Sequence, residues 1–231
     1  MRVNKLSTKE KILSFILGFH KTLYLNFSCF SFWTAIKFPV LVAKNVKLVG
    51  IGKIILDTEP AFGLIKIGFG DIGIFDGYNS KTIIKNDGTL IFRGKANIGH
   101  GTKININNGA KLIFGKDFII SGESSLICSS KIEFGINCLI SWDVLIMDTD
   151  FHQVYSVLNN GEYSEPGVKE PINIGDDVWI GCRCLIMKGV NIANGCVISA
   201  GTKLHKKIVK ERTVISGELN KIVRENILWK H

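Results

Sequence analysis

The sequence predicts an all-β chain wound as a parallel β-helix, preceded by a helical segment and followed by a strand and a short helix. Three observations carry that expectation. Aliphatic residues recur at every sixth position between Ile174 and Leu204. The positions between them are small or β-branched at fixed places in the six. The rhythm then fails over "DTDFHQVYSVLNNGEYSEPGVKEP", residues 148–171, with repeats on both sides of the break. Residues 1–45 are read as an N-terminal helical and extended segment. Residues 46–207 are the β-helix with the loop insertion 148–171, and 208–231 are a C-terminal strand and helix.

At the N-terminus the longest strongly apolar run is Ile12 to Phe19. It falls far short of the roughly 20 residues that cross a bilayer. Glu10 in the basic region, with no small-x-small cleavage site after it, argues against a signal peptide. Thr8 to Phe27 is expected to be a helix whose apolar face packs on the body of the protein. The alternative is a helix lying on a membrane surface, helped by Lys9, Lys11 and Lys21. The expected location is cytoplasmic, at most peripheral to a membrane. The six cysteines fit no metal spacing, and without a secretion signal they read as reduced core residues.

The repeat itself runs "IGDDVW", "IGCRCL", "IMKGVN", "IANGCV", "ISAGTK". Ile174, Ile180, Ile186, Ile192, Ile198 and Leu204 hold its first position. Val178, Cys184, Val190, Cys196 and Thr202 hold its fifth. Neither a helix period of 3.6 nor strand alternation gives a period of six. A short strand plus a turn does, because three such sides close a triangular coil of about eighteen residues whose strands stack at ~4.8 Å. Ile174 should then sit on Ile192 and Ile180 on Ile198, with Cys184 and Cys196 filling the interior. The same interval appears upstream in Leu126, Ile132, Cys138 and Val144, and in Phe92, Ile98 and Ile104. His100, inside "IGHGTK", reads as a corner residue. The coil is expected to begin between Val46 and Leu64 and to end near Leu204.

A chain that is 46% hydrophobic and 21% charged is globular rather than disordered. Its formal charge of +9 suggests an anionic partner. Nucleic acid is not that partner, since the basic residues do not interleave with aromatics in any recognisable module. Within the break, Asp148, Asp150 and His152 alternate. If the strand continued, all three would share one face. A carboxylate beside histidine can fix its tautomer and raise its basicity, the equipment of a general base.

The run "CLISWDVLIMDTDFH", followed by a loop and "INIGDDVWIGCRCLIMKGVNIANGCVISAGT", resembles the hexapeptide-repeat acyltransferases, in particular the branch that O-acetylates sugars, capsules and lipopolysaccharide. The likeness covers roughly Ile67 to Arg224. It implies a left-handed β-helix, acetyl-CoA as cosubstrate, no metal, a saccharide acceptor and a homotrimer with sites between subunits. It also implies His152 as the base that deprotonates the acceptor hydroxyl, oriented by Asp150 or Asp148, with Asp150 preferred. On the same likeness Trp179, Cys182, Ala200 and His205 line the cofactor path; the basic residues Lys203, Lys206, Lys207 and Arg224 are candidates to meet the CoA phosphates. Trp179 is read either as a wall of the acetyl pocket or as an interface aromatic. The chain lacks the family's Gly-x-Pro turn, with Gly217-Glu218-Leu219 in its place before a helix expected from Glu218 to Trp229. Two other classes share the scaffold. A γ-carbonic-anhydrase-like metal enzyme needs a His-x4-His pair, but position 157 is Val157. A non-catalytic assembly scaffold is told apart by a failure to bind acetyl-CoA.

Overall fold

The computed structural model describes residues 8–70, 72–74, 80–153, 155, 157–158, 161–163, 169–205 and 207–230, with side chains from residue 16 onward. Its strands form three sheets that the chain visits in strict rotation. One coil runs Leu139–Ile140 in the first sheet, Leu145–Met147 in the second and Ile172–Ile174 in the third. The next coil repeats the circuit with Trp179–Ile180, Leu185–Ile186 and Asn191–Ile192. All inter-coil pairs are parallel, as a chain rising by one step per turn requires. This is the parallel β-helix that the six-residue period implies.

The registers place the expected residues on one another. Ile174 pairs with Ile192 and Ile180 with Ile198. Val178, Cys184, Val190, Cys196 and Thr202 are all buried beside them. Upstream the coil is wider. Ile98 pairs with Ile120, Ile120 with Ile140, and Ile180 with Ile198, so a turn shortens from twenty-two residues to twenty and then to eighteen. The extra width is filled by phenylalanine. Phe92, Phe114 and Phe134 stack down the third sheet with ring centroids 5.5 and 5.6 Å apart. Phe118 leans on Phe134 from the first sheet at 4.8 Å. At one corner the chain turns through left-handed residues, one beneath the next: Asp117, Asn137, Asp177 and Gly195. Asp, Asn and Gly tolerate that conformation best. His100 lies at another corner, buried, as expected.

Both ends extend beyond the expected limits. The coil begins at Val40–Val42, which pairs with Ile65–Phe69, rather than between Val46 and Leu64. It continues past Leu204, because Ile208 bridges Ile192 and Val214–Ser216 pairs with Val197–Ile198. The expected helix from Glu218 to Trp229 is absent. Gly217 and Asn220 take positive φ, and the Asn220 side-chain amide donates to the Lys203 and Gly217 carbonyls at 2.7 and 3.0 Å. That turn sends Lys221–Arg224 back antiparallel to Val214–Ser216. Ile222 and Val223, both β-branched, suit the strand better than a helix.

The N-terminal helix α1, Thr8–Cys29, forms as expected but faces the opposite way. Val40–Val42 is the outermost strand of its sheet, so one row of its backbone groups has no neighbouring strand. The helix supplies the partners from its polar side. Asn26 donates to the Val40 carbonyl at 2.7 Å and accepts from the Val40 N–H at 3.2 Å. Thr22 Oγ1 accepts from the Val42 N–H at 2.9 Å. Lys21 Nζ donates to the Lys44 and Val46 carbonyls at 2.6 and 2.7 Å. Gly18 permits the approach, since a Cβ there would lie 2.2 Å from the Val42 oxygen. Of the apolar side chains, Leu25 turns inward, while Ile16, Leu17, Phe19, Leu23, Tyr24 and Phe27 face out.

Burial pushes the Cys128 and Cys138 thiols up to about 12 and that of Cys184 to about 11. Each folded value lies above the ordinary 9.0, so the associated stability is intact below pH 9 and is lost as pH rises toward 12. In the native protein, Ellman's reagent at pH 8 is expected to leave Cys128, Cys138, Cys184 and Cys196 unlabelled and to react first at half-buried Cys29 and Cys182. Denaturant should expose all six.

Candidate active site

The break begins where the strand Leu145–Met147 ends. Asp148, Asp150 and His152 do not share a face as the alternation suggested, because the strand does not continue through them. Asp148 is fully buried. Its carboxylate accepts from the Ser129 N–H at 2.6 Å and the Ser130 N–H at 2.8 Å, one coil away. Asp148 is thus bound into the corner, away from His152. Its own carbonyl accepts from the Glu170 N–H at 3.0 Å, and Thr149 bridges Lys169. These contacts tie the two ends of the insertion together at its root.

Asp150 stands outside, paired with Lys188 of the next coil at 2.6 Å. Phe151 then takes φ 63°, a left-handed conformation costing a bulky residue about 1 kcal/mol. The reversal folds the His152 N–H back to the Asp150 carbonyl at 2.7 Å. His152 is left exposed to solvent, and no hydrogen bond joins its ring to either aspartate within the described residues. Beyond it, Val157 and Tyr163 bridge antiparallel, with Tyr155 against Tyr163 at 5.9 Å. The turn residues Asn159 and Asn160 lie outside the described residues.

The cofactor candidates fall into two groups. Trp179 lies on the first sheet, partly exposed, its indole N–H donating to Ser141 Oγ at 3.0 Å. Cys182 and Ala200 stack at the corner between the first and second sheets, where the Gly201 N–H donates to the Cys182 carbonyl at 2.9 Å. Gly181 is required there, since a Cβ would fall 2.6 Å from the Ala200 nitrogen. His205 and Arg224 are further along the chain. The His205 N–H donates to Asn220 Oδ1 at 3.2 Å, and Arg224 is exposed on the final antiparallel strand. Lys206 lies outside the described residues. Lys203 pairs with Glu218 at 2.7 Å, which raises the lysine pKa and lowers the glutamate's.

Sequence reasoning missed Trp229. The C-terminal tail returns across the first sheet, with the Trp229 ring 6.1 Å from that of Trp179 and its indole N–H donating to the Asp177 carbonyl. Only its aromatic character in a basic tail could have hinted at this. Among the described residues no three His, Cys, Asp or Glu side chains converge as a metal site.

The position of each group on the coil determines what one chain can assemble. His152 leaves the corner between the second and third sheets. Trp179 stands on the first sheet, the opposite side of the triangular section.

Comparison with known proteins adds the chemistry of relatives. The bacterial transferase hexapeptide model, of six repeats, matches residues 171–206. The chain is 30% identical over 118 residues to the galactoside O-acetyltransferase of Escherichia coli strain K12, covering 51% of this chain and 55% of that protein. It is 32% identical over 109 residues to the polysialic acid O-acetyltransferase of Neisseria meningitidis, covering 47% and 49%. The matched stretch therefore spans about half the length of these curated relatives. The crystal structure of the polySia-specific acetyltransferase NeuO superposes with a TM-score of 0.50 at 22% identity, over 84% of this chain and 89% of that one, a likeness of fold.

Replacing Asp148 with alanine leaves the Ser129 and Ser130 N–H groups unpaired and is expected to cost about 3 kcal/mol in urea unfolding. Asp150→Ala, which removes a partly exposed ion pair and leaves no buried donor unpaired, should cost about 1 kcal/mol.

Proposed function

We propose that this member of the hexapeptide-repeat transferases moves an acetyl group from acetyl-CoA to a hydroxyl of a saccharide, either a cell-surface polysaccharide or its precursor. One observation carries the reading. The longest break in the coil is fastened at its root by Asp148 and Glu170, and it presents His152 to solvent through a left-handed Phe151. A regular solenoid has no structural use for that arrangement. The names of the curated relatives, O-acetyltransferases of galactoside and of polysialic acid, supply the class of acceptor.

In this reading the His152 imidazole takes the proton from the acceptor hydroxyl. The oxygen attacks the thioester carbonyl, forming a C–O bond. The C–S bond then breaks, and the sulfur leaves with the proton that His152 returns, giving the O-acetyl sugar and free CoA. No acyl-enzyme forms. Asp150, anchored by Lys188, holds the backbone that sets the direction of His152, while Asp148 secures the loop without touching the base. The pantetheine arm runs past the Cys182 and Ala200 corner, where small residues leave the backbone accessible. Arg224 and the basic residues beside it face the CoA phosphates.

His152 and Trp179 lie on successive coils and on opposite sides of the triangular section, so the reading requires a second copy. In a homotrimer the loop corner of one chain faces the first sheet of its neighbour, giving three equivalent sites.

The test is acetyl-CoA consumption against a panel of galactosides and polysialic acid. His152→Ala should lower turnover at least about a hundredfold while leaving circular dichroism and oligomeric mass unchanged. Unchanged turnover would remove His152 as the base. Calorimetry showing no acetyl-CoA binding would instead favour the scaffold role. Co-expressing His152→Ala with Trp179→Ala chains should restore partial activity, because mixed trimers contain one intact site. No recovery would overturn the shared site.

A further inference from the structure

The inverted amphipathic helix α1 raises a question that acetyl transfer does not answer. Its polar residues are consumed in capping the Val40–Val42 edge, so its apolar residues face outward. They do not stand singly. The short helix α2, Phe32–Ala35, packs beside α1, and Phe27 meets Phe32 at 6.2 Å and Phe38 at 6.3 Å. Phe19 also meets Phe38 at 5.9 Å, and Phe32 meets Trp33 at 5.5 Å. The result is one continuous aromatic surface on the end of the β-helix, with Phe32 61% and Trp33 74% exposed. Contiguous patches of this kind on soluble proteins mark interaction sites.

Charge identifies the partner. Arg2, Lys5, Lys9, Lys11, Lys21, Lys37, Lys44 and Lys47 all precede residue 48, against Glu10 alone. The first 47 residues therefore carry +7 of the chain's +9. Beside the aromatic surface is a shallow depression lined by His20, Lys21, Tyr24, Lys44, Lys47 and Lys81. An apolar face rich in Trp, Tyr and Phe with a cationic rim matches the boundary between headgroups and acyl chains of an anionic bilayer. It suits a second copy poorly, because Lys37, Lys44 and Lys47 of another chain would meet the same lysines. No helix among the described residues is long and apolar enough to cross a membrane.

We propose that the N-terminal cap, α1 with α2, docks this protein on an anionic membrane surface. The apolar side chains enter the headgroup boundary and the lysines meet lipid phosphates. The full chain should co-sediment with vesicles of phosphatidylethanolamine and phosphatidylglycerol, weakly with phosphatidylcholine alone, and less as salt rises. The variant carrying Phe27→Ser, Phe32→Ser and Trp33→Ser should bind these vesicles at least about tenfold more weakly. Because the three residues are exposed, its melting temperature and its oligomeric mass should not change. Equal sedimentation with both vesicle types, or a variant that binds like the original chain, overturns the proposal. A variant with altered oligomeric mass overturns it too, since a second copy then covers the patch.

Discussion

A triangular coil of eighteen residues leaves room inside for little more than one aliphatic column per face. That constraint governs the rest of the molecule. It demands an aliphatic residue at every sixth place and a small one beside it, which is why Cys184 and Cys196 serve as core residues rather than as reactive thiols. It puts the turns at fixed corners, where Asp117, Asn137 and Asp177 accept a left-handed backbone one beneath the next. It also leaves no interior in which to bury a substrate, so the candidate chemistry stands on corners, outer faces and insertions.

The candidate site follows from this exclusion. Asp148, which sequence spacing placed with the base, is drawn into the corner because two backbone N–H groups of the coil above need an acceptor there. His152 is left outside by the reversal at Phe151. Trp179, with Ser141 and Trp229 around it, is held on a different face. One chain holds apart the groups that the proposed reaction needs together, and that reaction therefore calls for a second copy.

The downstream coils were legible because their turns are eighteen residues long and their inward side chains are short. Ile174 on Ile192 followed from counting alone. Upstream, turns of twenty-two and twenty residues blur the period, and the phenylalanines that fill the wider interior do not look like members of an aliphatic series. The first strand, Val40–Val42, was missed because three residues carry no period. The helical reading of the C-terminus failed at Asn220, whose side chain ties the turn to Lys203. The orientation of α1 was hidden for a different reason. Its apolar residues do form a face, but composition cannot show that the neighbouring edge strand needs hydrogen bonds more than it needs apolar cover. In the candidate site, the break in the repeat that carries Asp148, Asp150 and His152 was readable. The inward turn of Asp148 and the return of Trp229 depend on contacts far apart in sequence.

The capped edge also makes the β-helix a measure of length. From Val46–Val49 to Leu145–Met147 the second sheet takes four steps, through Thr82–Asn86, Lys103–Ile106 and Ser125–Cys128. At about 4.8 Å per step, the root of the loop stands about 19 Å from the first rung. That distance can change only in whole turns, because a partial one would swing the loop to another face. The number of coils between the N-terminal cap and His152 is therefore a quantised spacer, adjustable in evolution without altering either end.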